Sequence, residues 1–153
     1  MEENLFNQIS EDIKKAMLAR DKVSLDALRG VKKEFLEART AKGSNGVLLD
    51  EAAVKILQKM VKQRKESAQI YTEQNRKDLA DSELLQVVVI EKYLPLQMSD
   101  AELTASVAAI IKQVGATAPQ EIGKVMAVAS KQLAGKADGR AISEKAKALL
   151  NNA

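Results

Sequence analysis

The chain has 153 residues, of which 46% are apolar and 29% charged, with a net charge of +3. This composition excludes a disordered polymer and allows one good core or two small helical units. With no cysteine and no histidine, disulfides, thiol nucleophiles, cysteine- or histidine-ligated zinc and imidazole acid–base chemistry are excluded.

From the N-terminus, Leu5, Ile9, Ile13, Ala16 and Met17 recur at helical spacing, and Leu25, Leu28, Val31 and Phe35 form the next stripe. The short charged turn ARDK between them predicts an antiparallel helix pair. Two glycines in KGSNGVLL (42–49) break the pattern. Asp50 is expected to N-cap a long third helix carrying Ile56, Leu57, Met60 and Val61 and ending near QNRKD (74–78). A fourth segment, Leu79 to Leu94, contains VVVI (87–90), which propensity alone would place in a strand. Helix is expected instead, because its neighbours are helical and a lone strand leaves its edges unpaired. Being apolar on more than one side, it is expected to lie buried between other helices.

EKYLPLQMSDAEL (91–103) reads as a boundary, with Pro95 stopping the preceding helix. Ser99 and Glu102 have capping-box spacing ahead of the stripe Leu103, Val107, Ile110, Ile111 and Val114, and Gly115 suits the C′ position. Pro119 falls in the first turn of a further helix burying Ile122, Val125, Met126, Ala129 and Leu133. A last helix, about Gly139 to Asn151, would bury Ile142, Ala146, Leu149 and Leu150. The reading is all-α: an N-terminal hairpin or bundle of about four helices over 1–95, then a small three-helix tail over 96–153.

The turn AGKADGRAIS (134–143) between the last two helices admits two explanations. Structurally, Gly135 takes the left-handed conformation that ends a helix and Asp138 caps the next. Gly139 would be a small residue near a close packing contact. Functionally, a helix N-terminus flanked by Lys136 and Arg140 suits an anion. Lys124 and Lys131 lie seven residues apart, on one helix face about 20° out of register, and Arg140 and Lys147 repeat the spacing. From Gly123 to Ala153 there are six basic residues against two acidic ones. The spacing G-x-x-x-G-R is not that of a nucleotide-binding P-loop and lacks its hydroxyl. On these residues alone both explanations stay open.

A second basic group, Lys55, Lys59, Lys62, Arg64 and Lys65, occupies the third helix. Lys55, Lys59 and Lys62 share a face that is either solvated or an extension of a nucleic-acid footprint. Arg64, on the side of Met60 and Val61, is expected in a buried or half-buried pair with a carboxylate. Asp78, Asp81 and Glu83 read as a favourable helix start rather than a metal site. Phe6, Phe35, Tyr71 and Tyr93 are the only aromatics, so the tail has no platform for stacking unpaired bases. RNA bound there would be read through phosphate and sugar, with strong salt dependence. No run reaches the ~18 apolar residues of a membrane span. MEENLFNQIS lacks a secretory pattern, so a cytoplasmic setting is expected.

The segments LQKMVKQRKES (57–67), NRKDLA (75–80), IEKYLPLQMSDAEL (90–103) and IGKVMAVASKQLAGKADG (122–139) together resemble the GatB/YqeY family. It includes small stand-alone bacterial proteins and shares a domain with the tail of the GatB component of tRNA-dependent amidotransferases and with extensions of some glutaminyl-tRNA synthetases. The resemblance implies a helical N-terminal unit, a three-helix tail and contact with tRNA, with an amidotransferase or synthetase as protein partner. The family's association is with carbon–nitrogen ligation using glutamine as amide donor. The glutaminase and ATP-binding parts that perform that chemistry have no counterpart here. The expectation is therefore a non-catalytic tRNA-binding accessory protein without cofactor or metal. Lys124, Lys131, Lys136 and Arg140 would contact phosphate, with Gly123, Gly135 and Gly139 shaping the surface. Two rivals remain: a protein-interaction module with an exposed apolar stripe around VVVI, and a subunit that completes an amidotransferase only in complex.

Overall fold

The computed structural model describes residues 3–152. It is built from α-helices, with no strand among the described residues, and divides into two compact units, Met1–Leu94 and Pro95–Ala153.

The first unit contains α1 (Asn4–Ala19), α2 (Lys22–Thr40), α3 (Asp50–Glu73) and α4 (Lys77–Glu91). α1 and α2 pack as a hairpin, as do α3 and α4, and α2 also packs on α4. Ile9, Ala27, Val31, Phe35, Ala53, Leu57 and Ile90 are completely buried at the centre. Asp21 caps α2, its carboxylate accepting from the amide of Ser24 at 3.1 Å. Asp50 does not cap α3 as expected. Leu49 is the N-cap, and Asp50, one position later, uses Oδ1 to accept from the amide of Leu5 at 2.8 Å. Its side chain thus ties the start of α1 to the start of α3. The loop between α2 and α3 is closed by Arg39, which donates to the Gly46 carbonyl at 2.7 Å and lies 4.4 Å over the Phe6 ring.

VVVI is helical, in α4. Val87, Val89 and Ile90 are buried, but Val88 is 57% exposed, so the run is only partly enclosed. Arg64 is half-buried as expected, yet its partner is an amide: Nε donates to Gln86 Oε1 at 2.9 Å. A neutral acceptor avoids the desolvation of a second charge.

The second unit contains α5 (Asp100–Val114), a 3-10 turn (Pro119–Glu121), α6 (Ile122–Gln132) and α7 (Gly139–Asn151). Each helix packs on the other two around Val107, Ile110, Val125, Ala129, Ile142, Ala146 and Leu150. Ser99 and Glu102 form the capping box of α5, and Gly115 closes it with φ 70. Lys145 of α7 reaches Asp100 at the start of α5, 2.8 Å away. No helix among the described residues is long and apolar enough to cross a membrane.

Candidate nucleic-acid interface

The sequence around the α6–α7 turn forms it by local chemistry. Leu133 ends α6, and the amides of Lys136 and Ala137 return to the Leu133 carbonyl at 3.0 and 3.3 Å. Gly135 follows with φ 77, a conformation open to glycine without strain. Asp138 caps α7, accepting from the Arg140 amide at 3.3 Å. The turn is also braced from a distant segment. Gln97 Nε2 donates to the carbonyl of Gly135 at 2.7 Å and to that of Pro95 at 2.8 Å, and the Met98 amide donates to the carbonyl of Lys136 at 3.0 Å. Both carbonyls of the Gly135–Lys136 pair are thereby held, which orients the turn without using the lysine side chain.

Lys131 stands at the end of α6, Lys136 in the turn and Arg140 at the start of α7, and all three are exposed. No described carboxylate is within ion-pair distance of Lys131 or Lys136. Arg140 Nε is 3.0 Å from Glu144 on the next helical turn. Lys124 lies two turns of α6 away from Lys131 and is 3.3 Å from Glu121. Both ion pairs are exposed, the kind that contribute between nothing and about 1 kcal/mol and exchange readily for another anion.

Glu121 is the most strongly perturbed carboxylate of the unit. It accepts from the backbone amides of Thr117 and Ala118, then from Lys124 Nζ. These bonds, the Thr117 amide first, hold its pKa at about 2 instead of 4.5. Three donors favouring the charged form overcome the small penalty of desolvation. Lys124 therefore serves the start of α6 as well as the surface, a dual role its spacing did not reveal.

The glycines separate into two kinds. Gly135 is required by its backbone. Gly123 and Gly139 are not required by packing, since a Cβ on either would meet open space. The expectation that Gly139 relieves a close packing contact is therefore corrected. α7 turns its side chains, not its first residue, toward the core.

In the N-terminal unit, Lys55, Lys59 and Lys62 are exposed on α3, while Lys65 is 3.1 Å from Glu91. A shallow open groove of about 280 Å³ is lined by Asp12, Lys15, Ser24, Leu28 and Tyr93 among others. The Tyr93 hydroxyl donates to Asp12 Oδ2 at 2.6 Å. Burial first, then Asp12, pushes the phenol well above its ordinary pKa, so Tyr93 is a structural donor.

These features define an all-helical protein among the described residues, whose candidate site is the charged surface around the α6–α7 turn. The family model for Yqey-like protein matches residues 6–150, and the chain belongs to that family. It is similar to curated proteins named "Altered inheritance of mitochondria protein 41, mitochondrial". That of Lachancea thermotolerans is 31% identical over 119 residues, 72% of this chain and 60% of the relative. Those of Clavispora lusitaniae and Kluyveromyces lactis are 30% and 28% identical, over 73% and 92% of this chain and 65% and 72% of theirs. The chain thus spans less than two thirds of the first two relatives.

These names overturn the expected cytoplasmic setting, because the relatives are called mitochondrial proteins. The bacterial setting implied by the resemblance likewise finds no support among them. The lack of a secretory pattern in MEENLFNQIS bears on export and does not separate cytosol from the interior of an organelle.

Proposed function

We propose that this Yqey-like protein is a non-catalytic RNA-binding protein that engages the phosphate–sugar backbone of folded tRNA. It would act as an accessory factor related to the GatB tail of tRNA-dependent amidotransferases. The observation carrying the proposal is the braced α6–α7 turn, with Lys131 and Lys136 unpaired among the described residues and Arg140 beside them. Cations without partners, carried by a backbone turn that leads into the N-terminus of α7, suit a phosphate better than a solvated helix face requires. Lys124 adds a fourth contact once released from Glu121. Gly123 and Gly139, free of packing duties, leave room for backbone to approach phosphate. The absence of aromatics after Tyr93 favours recognition of helical backbone shape over unpaired bases.

The test is the simultaneous replacement Lys124→Gln, Lys131→Gln, Lys136→Gln and Arg140→Gln. Each lost phosphate contact should flatten the log–log salt dependence by roughly 0.7–0.9. Unchanged binding and slope would reject the assignment of this surface.

A further inference from the structure

The outer face of α4 carries a stripe that the RNA-binding proposal does not use. Leu84, Leu85 and Val88 are 44%, 52% and 57% exposed, on a helix whose other sides already pack on α2 and α3. Asp81, Leu85, Val88 and Lys92 follow one another at spacings of four, three and four residues, the seam of a helix that pairs with another helix. Lys92 is the C-cap, but its backbone stays helical (φ −61, ψ −23), so the stripe continues through it. Asp81 and Lys92 are both exposed and form no ion pair with a described residue, although Lys92 also borders the groove beside α1 and α2 and acts electrostatically on Asp21.

The order along this stripe is acid, apolar, apolar, base. Asp81 and Lys92 are equidistant from a point between Gln86 and Val87, and so are Leu85 and Val88. A two-fold axis through that point, relating antiparallel α4 helices, sets Asp81 of each copy against Lys92 of the other. Leu85 of each copy then meets Val88 of the other, with Leu84 widening the apolar centre. The stripe is self-complementary in charge and in hydropathy, as an isologous contact requires.

From this we infer that α4 is a homodimerisation surface, whose occupant is a second copy of the chain paired antiparallel through Asp81, Leu85, Val88 and Lys92. Three exposed apolar side chains fall well short of the roughly 800 Å² that a standard interface buries per partner. The dimer is therefore reversible and concentration-dependent, not obligate. It rests on the N-terminal unit alone and is independent of RNA binding.

Sedimentation equilibrium of the full chain, from micromolar to millimolar concentration, tests this. The wild type should show a monomer–dimer equilibrium. Asp81→Lys or Lys92→Asp alone places like charges across both symmetric contacts and should weaken dimerisation about tenfold. The double swap Asp81→Lys with Lys92→Asp should restore it to within about threefold of wild type. Val88→Glu should abolish it. All three substituted positions are exposed, and an unchanged helical circular-dichroism signal confirms folding of each variant. A wild type monomeric at millimolar concentration would overturn the inference, as would a single swap without effect or a double swap that fails to rescue. A different protein binding this face in place of a second copy would do the same.

Discussion

The Met98 amide donates to the Lys136 carbonyl at 3.0 Å, pinning the segment that precedes α5 to the turn that carries an unpaired lysine. Gln97 reinforces the attachment through Gly135. The positions of Lys131, Lys136 and Arg140 relative to one another thus depend on residues nearly forty positions earlier.

Replacing Gln97 by alanine should loosen the turn while leaving every cation in place. Two exposed side-chain hydrogen bonds are lost, so urea denaturation should show a cost of about 1 kcal/mol or less. RNA affinity should fall with it, because the charges become less ordered. Wild-type affinity in Gln97→Ala would mean that the bracing has no part in binding.

The three glycines of the candidate surface should respond differently to alanine. Gly135→Ala forces a Cβ into the left-handed region and should cost about 1 kcal/mol of stability. Gly123→Ala and Gly139→Ala have open space and helical backbone, and should leave the thermal midpoint unchanged or slightly raised. If backbone approaches phosphate at those two positions, the same substitutions lower RNA affinity in a fully stable protein. Thermal melts beside binding curves separate these effects.

Glu121 should be measurably acidic. Because its folded pKa is depressed, the stability it contributes is present above 4.5 and is lost as pH falls through 4.5 toward about 2. A carbon-detected NMR titration should place its midpoint near 2, and Glu121→Gln should remove this part of the acid sensitivity. A midpoint near 4.5 would show that the Thr117 and Ala118 amides do not hold it.

Tyr93 moves in the opposite sense. Its phenol pKa is raised, so its contribution is full below the ordinary value of 10.0 and is lost as pH climbs above it. Tyr93→Phe removes a bond to a half-buried carboxylate and should cost about 1 kcal/mol, discounted for solvent screening. Ultraviolet difference spectra should show Tyr93 still protonated at pH values where a free phenol ionises. Ionisation near 10 would contradict the Asp12 contact.

Local chemistry was legible in the sequence. The Ser99–Glu102 box, the left-handed Gly115 and the Asp138 cap each depend on residues within four positions, so spacing suffices to identify them. The helical state of VVVI followed from its neighbours. What was illegible is what distant residues decide. Asp50 stands beside the N-cap because it answers the Leu5 amide, Arg64 finds Gln86 rather than a carboxylate, and the bracing by Gln97 and Met98 ends on backbone carbonyls that any sequence supplies. Of the site, the positions of the cations were readable. The double duty of Lys124 was not, because its partner Glu121 also accepts from the amides of Thr117 and Ala118.

The most direct test of RNA binding is the affinity of the full chain for folded tRNA and for an RNA hairpin of matched length, measured across a salt series. Binding through the α6–α7 surface predicts a preference for tRNA and a log–log slope corresponding to several released counterions. Absence of binding at low salt, or an affinity indifferent to salt, would contradict it.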